Sequence, residues 1–124
     1  TDDNIEFIAP LPENQNYIDF LFETAERGNG CEILMAVLPC MLSYSYIFRK
    51  LAGEPESRRS RYWDFIQDYA DDRYADSCKE WCAFADKKCG SLSEAEQKKL
   101  GIIFERAGYL ELNFWNMAYR RKKA

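Results

Sequence analysis

The sequence predicts an all-α protein of about five helices, and three observations carry that expectation. Apolar residues recur at three-to-four spacing along most of the chain, no five-residue alternation bounded by turns occurs, and capping or glycine signals separate the periodic stretches. A length of 124 residues suits one core rather than several domains. An aromatic share of 15% is high, so helices must either bury those rings or use them.

Residues 1–13 contain Pro10 and Pro12 among acidic residues and keep no period, which reads as a lead-in to a helical domain over 14–124. Helical signal begins at Asn14 to Asn16. Tyr17, Phe20, Leu21 and Ala25 then form one stripe, and Gly28-Asn29-Gly30 supplies the stop. The second helix, Cys31 to Leu51, is apolar nearly all round at its start (Ile33, Leu34, Met35, Ala36, Val37, Leu38), so it belongs in the middle of the core. Arg49 and Lys50 fall within twenty residues of its start and argue against a membrane span. Pro39 lies inside this helix, cannot donate to the Met35 carbonyl, and predicts a bend just before Cys40 at a cost of roughly 3 kcal/mol.

Gly53, Pro55 and Ser57 read as a loop, followed by a stripe of Tyr62, Phe65, Ile66 and Tyr69 that ends near Asp71-Asp72. Tyr74 to Cys89 continues as a helix with Cys78, Trp81, Cys82 and Ala85 on one face, closed by Gly90. Ser93 with Glu96 is a capping box that opens the last and longest helix, about Glu94 to Arg120.

Charge and composition exclude several functions. A net charge of −4 argues against nucleic acid as the main partner, because phosphate binding draws on an excess of Lys and Arg on one surface. The one basic run, Arg120 to Lys123, suits the negative end of a helix dipole. The chain has no histidine, which removes Ser-His and Cys-His dyads and histidine-ligated haem or iron together. Five cysteines with no secretory-type opening run read as free thiols in a reducing, cytoplasmic compartment. Cys78, Cys82 and Cys89 are spaced too loosely for zinc, so no metal is expected. A chain that opens on Thr1 rather than Met implies processing, cleavage or truncation.

Some residues do not belong where the pattern puts them. The inward stripe of the last helix is Leu100, Ile103, Phe104, Ala107, Phe114 and Ala118, and Glu111 completes it. A buried carboxylate must be paired, hydrogen-bonded or useful; the bland alternative is a salt bridge to Arg58, Arg59 or Arg61. Cys40 and Tyr44 stand one turn, about 6 Å, apart on one face of the central helix, so their side chains can share a pocket wall. Taken alone, Cys40 is better explained as a small buried hydrophobe than as a nucleophile, because apolar burial raises a thiol's pKa. Tyr17 and Tyr69 lie on apolar stripes of separate helices, and buried hydroxyls need polar partners, which may be supplied by one another, by Glu111 or by a ligand.

Leu38-Pro39-Cys40 with Tyr44, then Tyr62-x6-Tyr69, then Glu111-x2-Phe114-Trp115 together resemble the C-terminal portion of the TenA/Thi-4 family, the thiaminase II type enzymes with a haem-oxygenase-like helical fold. The likeness extends to Tyr17 and runs from about Asn14 to Ala118. Members are about twice this length, and the resemblance implies that the N-terminal helices, with an aspartate holding the substrate pyrimidine, lie outside this sequence.

The resemblance also implies an activity: hydrolysis of thiamin or an aminopyrimidine to hydroxymethylpyrimidine, with no cofactor. Cys40 would be the nucleophile and Glu111 the acid/base, while Tyr17, Tyr44, Tyr69 and Phe114 would bind the substrate. It implies a homotetramer and, for a lone half, an exposed apolar face that associates. A non-catalytic module that binds a pyrimidine or a partner protein is the alternative, and a helical interaction domain with packing tyrosines is a third.

Overall fold

The computed structural model describes residues 8–123, with side chains through residue 120. The first helix, α1 (Pro12–Arg27), begins two residues before Asn14, where the helical signal was expected to start. Pro12 occupies the first turn, where its missing N–H would have had no helical partner and its fixed φ already suits the helix. The helix ends where the Gly28 N–H bonds the Thr24 carbonyl at 2.8 Å. A Cβ at Gly28 would stand 2.6 Å from that oxygen, so the exit needs glycine. Asn29, expected as part of a stop, also starts the next element: its side chain accepts from the Glu32 N–H at 2.9 Å.

The second helix, α2 (Gly30–Ala52), runs unbroken through Pro39 and buries Leu34, Ala36, Leu38, Pro39 and Phe48. It is the one helix among the described residues long and apolar enough to cross a membrane. All four other helices pack on it, which accounts for its composition as that of a central core helix. The stretch expected as a loop contains a 3-10 turn, Pro55–Arg59, opened by Pro55 in the position proline favours.

The short α3 (Trp63–Ala70) follows, then α4 (Asp72–Cys89), whose N-cap Asp71 accepts from the Arg73 N–H at 2.7 Å. The long α5 (Glu94–Lys123) opens with Ser93 Oγ accepting from the Glu96 N–H at 3.2 Å. Among the described residues there is no strand.

One buried cluster joins Phe20, Ala36 and Ala107 at the meeting of α1, α2 and α5, and a second joins Leu34, Leu38 and Ala85 between α2 and α4. Of the stripe expected on α5, Leu100, Ala107 and Glu111 are buried, whereas Phe104 is 37% exposed and Ala118 faces solvent. Phe104 borders an open surface hollow beside Met35 and Ala85. Ala118 lies near the end of a helix that, at 30 residues, is longer than the 23-residue α2 it packs on. At the same end Arg120 pairs with Glu13 of α1, so the first cation of the basic run is not simply solvated.

The cysteines depart from expectation. Cys31 and Cys89 are joined as a disulfide, with Cα atoms 6.0 Å apart, while Cys40, Cys78 and Cys82 are free. The antiparallel packing of α4 on α2 brings the first turn of one helix against the last turn of the other. A separation of 58 residues hides that proximity in the sequence.

Candidate active site

Four helices meet around a hollow of about 470 Å³. Tyr17 and Leu21 come from α1, Val37, Cys40, Met41 and Tyr44 from α2, Tyr69 from α3, and Tyr74 from α4. The α2 contribution follows from helical geometry: residues 37, 40, 41 and 44 recur at three-to-four spacing and share one face. Val37 is 47% exposed, so this face of the central helix remains partly open to solvent.

Aromatic contacts fix the far wall. The Tyr69 ring stands edge-on to Tyr44 and to Tyr74, each with centroids 5.1 Å apart. Phe48 packs at 5.4 Å from Tyr44 and 5.2 Å from Tyr69, extending the cluster toward Phe65. Tilted and edge-to-face pairs of this kind stabilise one another beyond the area they bury and hold the rings rigidly. The Tyr74 hydroxyl donates to the Met41 carbonyl at 2.8 Å, which ties α4 to α2 one residue past Cys40.

Glu111 of α5 is 6% exposed and is not among the side chains that line the hollow. The salt bridge considered for it, to Arg58, Arg59 or Arg61, does not form among the described residues; instead Trp115, one turn on, donates its indole N–H to Glu111 Oε1 at 3.2 Å. The carboxylate also acts on Tyr17 and Cys40. Burial first, then a hydrogen bond to Glu111 and its charge, keep the Tyr17 hydroxyl protonated far above its usual range. For Cys40, burial, the charge of Glu111 and a hydrogen bond to it push the thiol up to about 11. Burial, then the charges of Cys40 and Glu111, raise Tyr44 as well. Tyr74 is pushed up to about 12, chiefly by burial.

Cys40, Tyr17, Tyr44 and Tyr69 thus line one hollow; Glu111 does not line it and acts there through Cys40 and Tyr17. Phe114 is not among the side chains lining it; it packs edge-on against Trp115 at 5.9 Å. Chemically, Cys40 is a neutral thiol at neutral pH, and only a neighbouring base would make it nucleophilic. Glu111 is the carboxylate within hydrogen-bonding reach. Among the described residues no lysine or arginine lines the hollow, whose walls are largely tyrosine rings. Among the described residues no cluster of three metal-ligating side chains occurs.

The profile of the TENA/THI-4/PQQC family matches residues 1–121. The chain belongs to this family. Its fold is the helical haem-oxygenase-like one, in agreement with the five helices. A TENA/THI-4 relative from Halalkalibacterium halodurans named aminopyrimidine aminohydrolase is 33% identical over 97% of this chain and 54% of its own length. A protein of the same name from Bacillus subtilis is 29% identical over 91% of this chain and 48% of its own length. A third, from Helicobacter pylori, is 27% identical over 97% and 56%. The chain spans about half the length of these curated relatives.

Two residues of this TENA/THI-4 site escape a reading of the sequence for site residues. Tyr74 lies on α4, where the apolar face seemed to consist of Cys78, Trp81, Cys82 and Ala85, and only the packing of α4 on α2 turns it inward. Trp115 was visible as part of a motif, and its spacing of four from Glu111 was the available signal for a hydrogen-bonded pair.

Proposed function

We propose that the chain carries the nucleophile-bearing half of an aminopyrimidine aminohydrolase, a hydrolase of the thiaminase II type acting in thiamin salvage. The observation that carries this reading is the interaction of Cys40 with Glu111 at a tyrosine-walled hollow. The names of the relatives support the reaction class. In this reading residues 14–124 are the C-terminal part of a TenA-like domain, residues 1–13 lead into it, and further helices complete the pocket. The enzyme works as a homotetramer; large exposed apolar side chains such as Phe22, Phe84, Tyr109 and Leu112 support association.

The chemistry follows from the protonation states. Glu111 accepts the Cys40 proton as the sulfur adds to a carbon of the pyrimidine ring, and passes that proton to a ring nitrogen. The adduct expels ammonia from the exocyclic methylene, as the C–N bond breaks and the amine takes up a proton. Water adds to the methylene carbon with loss of a proton, the sulfur departs with the electron pair of the carbon–sulfur bond, Glu111 carries the ring-nitrogen proton back to it, and the ring regains aromaticity. The sum is R–CH2–NH2 plus water giving R–CH2–OH plus ammonia. Tyr17, Tyr44 and Tyr69 orient the acid, the thiol and the ring, and Phe114 steadies that wall through Trp115.

The 124-residue chain alone is expected to be inactive. Incubation of the protein, together with the helices that complete its pocket, with 4-amino-5-aminomethyl-2-methylpyrimidine therefore tests the proposal, read as release of ammonia and hydroxymethylpyrimidine. Product formation that disappears in Cys40→Ser is expected; undiminished turnover in that variant would end the nucleophile assignment. A second reading, a non-catalytic helical module that binds a pyrimidine, is favoured by one observation: burial and Glu111 push the Cys40 thiol up to about 11, which leaves it protonated at neutral pH. Saturable binding of the aminopyrimidine without product from any form of the protein would select it.

A further inference from the structure

The indole of Trp115 is held on both sides. Its ring centroid is 5.9 Å from that of Tyr44 on α2 and 5.9 Å from that of Phe114, the latter edge-on. Its N–H is the only donor a tryptophan has, and it goes to Glu111 Oε1 at 3.2 Å. Glu111 is 6% exposed, so water does not compete freely for that oxygen. A carboxylate has two oxygens and, when ionised, accepts only. With one acceptor site of the carboxylate engaged on the α5 side, the remaining ones are left for the groups from α1 and α2.

We propose that Trp115 is a positioning residue: its indole N–H holds one oxygen of Glu111 so that the carboxylate stays against the thiol of Cys40. The inference rests on the reading of Cys40 and Glu111 as reaction partners. Tyr44 has a matching part, because it lies one turn from Cys40 on α2 and also packs on the Trp115 ring. It thereby couples the orientation of the indole on α5 to the helix that carries the thiol. A residue that only filled space here would need neither the N–H nor its direction. Phenylalanine keeps most of the ring and removes the donor, which makes Trp115→Phe the informative change.

The test uses the reactivity of Cys40, which needs no turnover. The protein is alkylated with iodoacetamide at a pH below the Cys40 titration, and modification is mapped by mass spectrometry to separate Cys40 from Cys78 and Cys82. Iodoacetamide reacts with pre-formed thiolate rather than with a thiol that loses its proton to Glu111 as a bond forms. Glu111→Gln, which removes a charge disfavouring the resting thiolate, therefore raises Cys40 alkylation severalfold. Trp115→Phe lets the carboxylate swing off the thiol and raises the rate in the same direction, by about threefold or more. Trp115→Phe placed on Glu111→Gln adds nothing, because the residue acts through the carboxylate. Equal acceleration in both backgrounds, or none in either, would overturn the assignment and leave Trp115 a packing residue. Absence of turnover with the aminopyrimidine would instead defeat the proposed function while the alkylation result still decides the Trp115–Glu111–Cys40 relationship.

Discussion

Tyr74 of α4 donates its hydroxyl hydrogen to the main-chain carbonyl of Met41, 2.8 Å away on α2, and so fixes the distance between a pocket wall and the cysteine beside it. The bond joins residues 33 apart in sequence, and Cys78 Sγ approaches the same carbonyl at 3.8 Å. Tyr74→Phe removes one donor and leaves the ring. Stability should fall by about 1 kcal/mol, or about 4 °C in Tm, in a thermal melt followed by circular dichroism. Unchanged stability would mean the hydroxyl exchanges freely with water.

Alkaline pH should destabilise the protein through the same pocket. Cys40 and Tyr74 keep their protons in the folded state up to about 11 and about 12, above ordinary values of 9.0 and 10.0. As pH rises past 9 the unfolded chain releases these protons first, so it binds fewer than the folded protein and unfolding becomes easier. The contribution is whole below pH 9 and is lost between about 9 and 12. Urea midpoints at about pH 8 and about pH 10.5 should differ, and Cys40→Ser should reduce the difference.

Reduction of the Cys31–Cys89 bond should cost stability without touching the pocket. A link across 58 residues restricts the unfolded chain by about 4 kcal/mol on loop-entropy grounds. Denaturant curves with and without a thiol reductant should show that loss, as should Cys31→Ser. Cys40 alkylation in the folded protein should not change, because the bridge ties the first turn of α2, nine residues before Cys40.

The crossing of α1, α2 and α5 should tolerate little added volume. Ala107 is 0% exposed and packs with Phe20 and Ala36, one turn before Glu111. Ala107→Leu should cost about 1–3 kcal/mol and displace Glu111, lowering turnover as well as Tm. Activity retained at full level in a destabilised variant would show that the carboxylate is insulated from its helix crossing.

Much of this architecture is legible in residue spacing. The five helices follow from apolar periodicity, and Glu111 stands out because a carboxylate occupies an inward slot between Ala107 and Phe114. Cys40 and Tyr44 pair through a single helical turn. What the spacing hides depends on how separate helices pack. Tyr74 turns inward, and Cys31 meets Cys89, only because α4 runs antiparallel along α2. Pro12, Asn29 and Asp71 were read as breakers or stops, yet each opens a helix, since the same side-chain chemistry serves both purposes.

The central claim is that Cys40 and Glu111 act as one unit, and a double-mutant cycle on kcat/KM for aminopyrimidine hydrolysis tests it most directly. Cys40→Ser and Glu111→Gln should each remove about a thousandfold or more, and the double variant should be no slower than the worse single one. Losses that multiply in the double variant, or full rate in either single one, would contradict it.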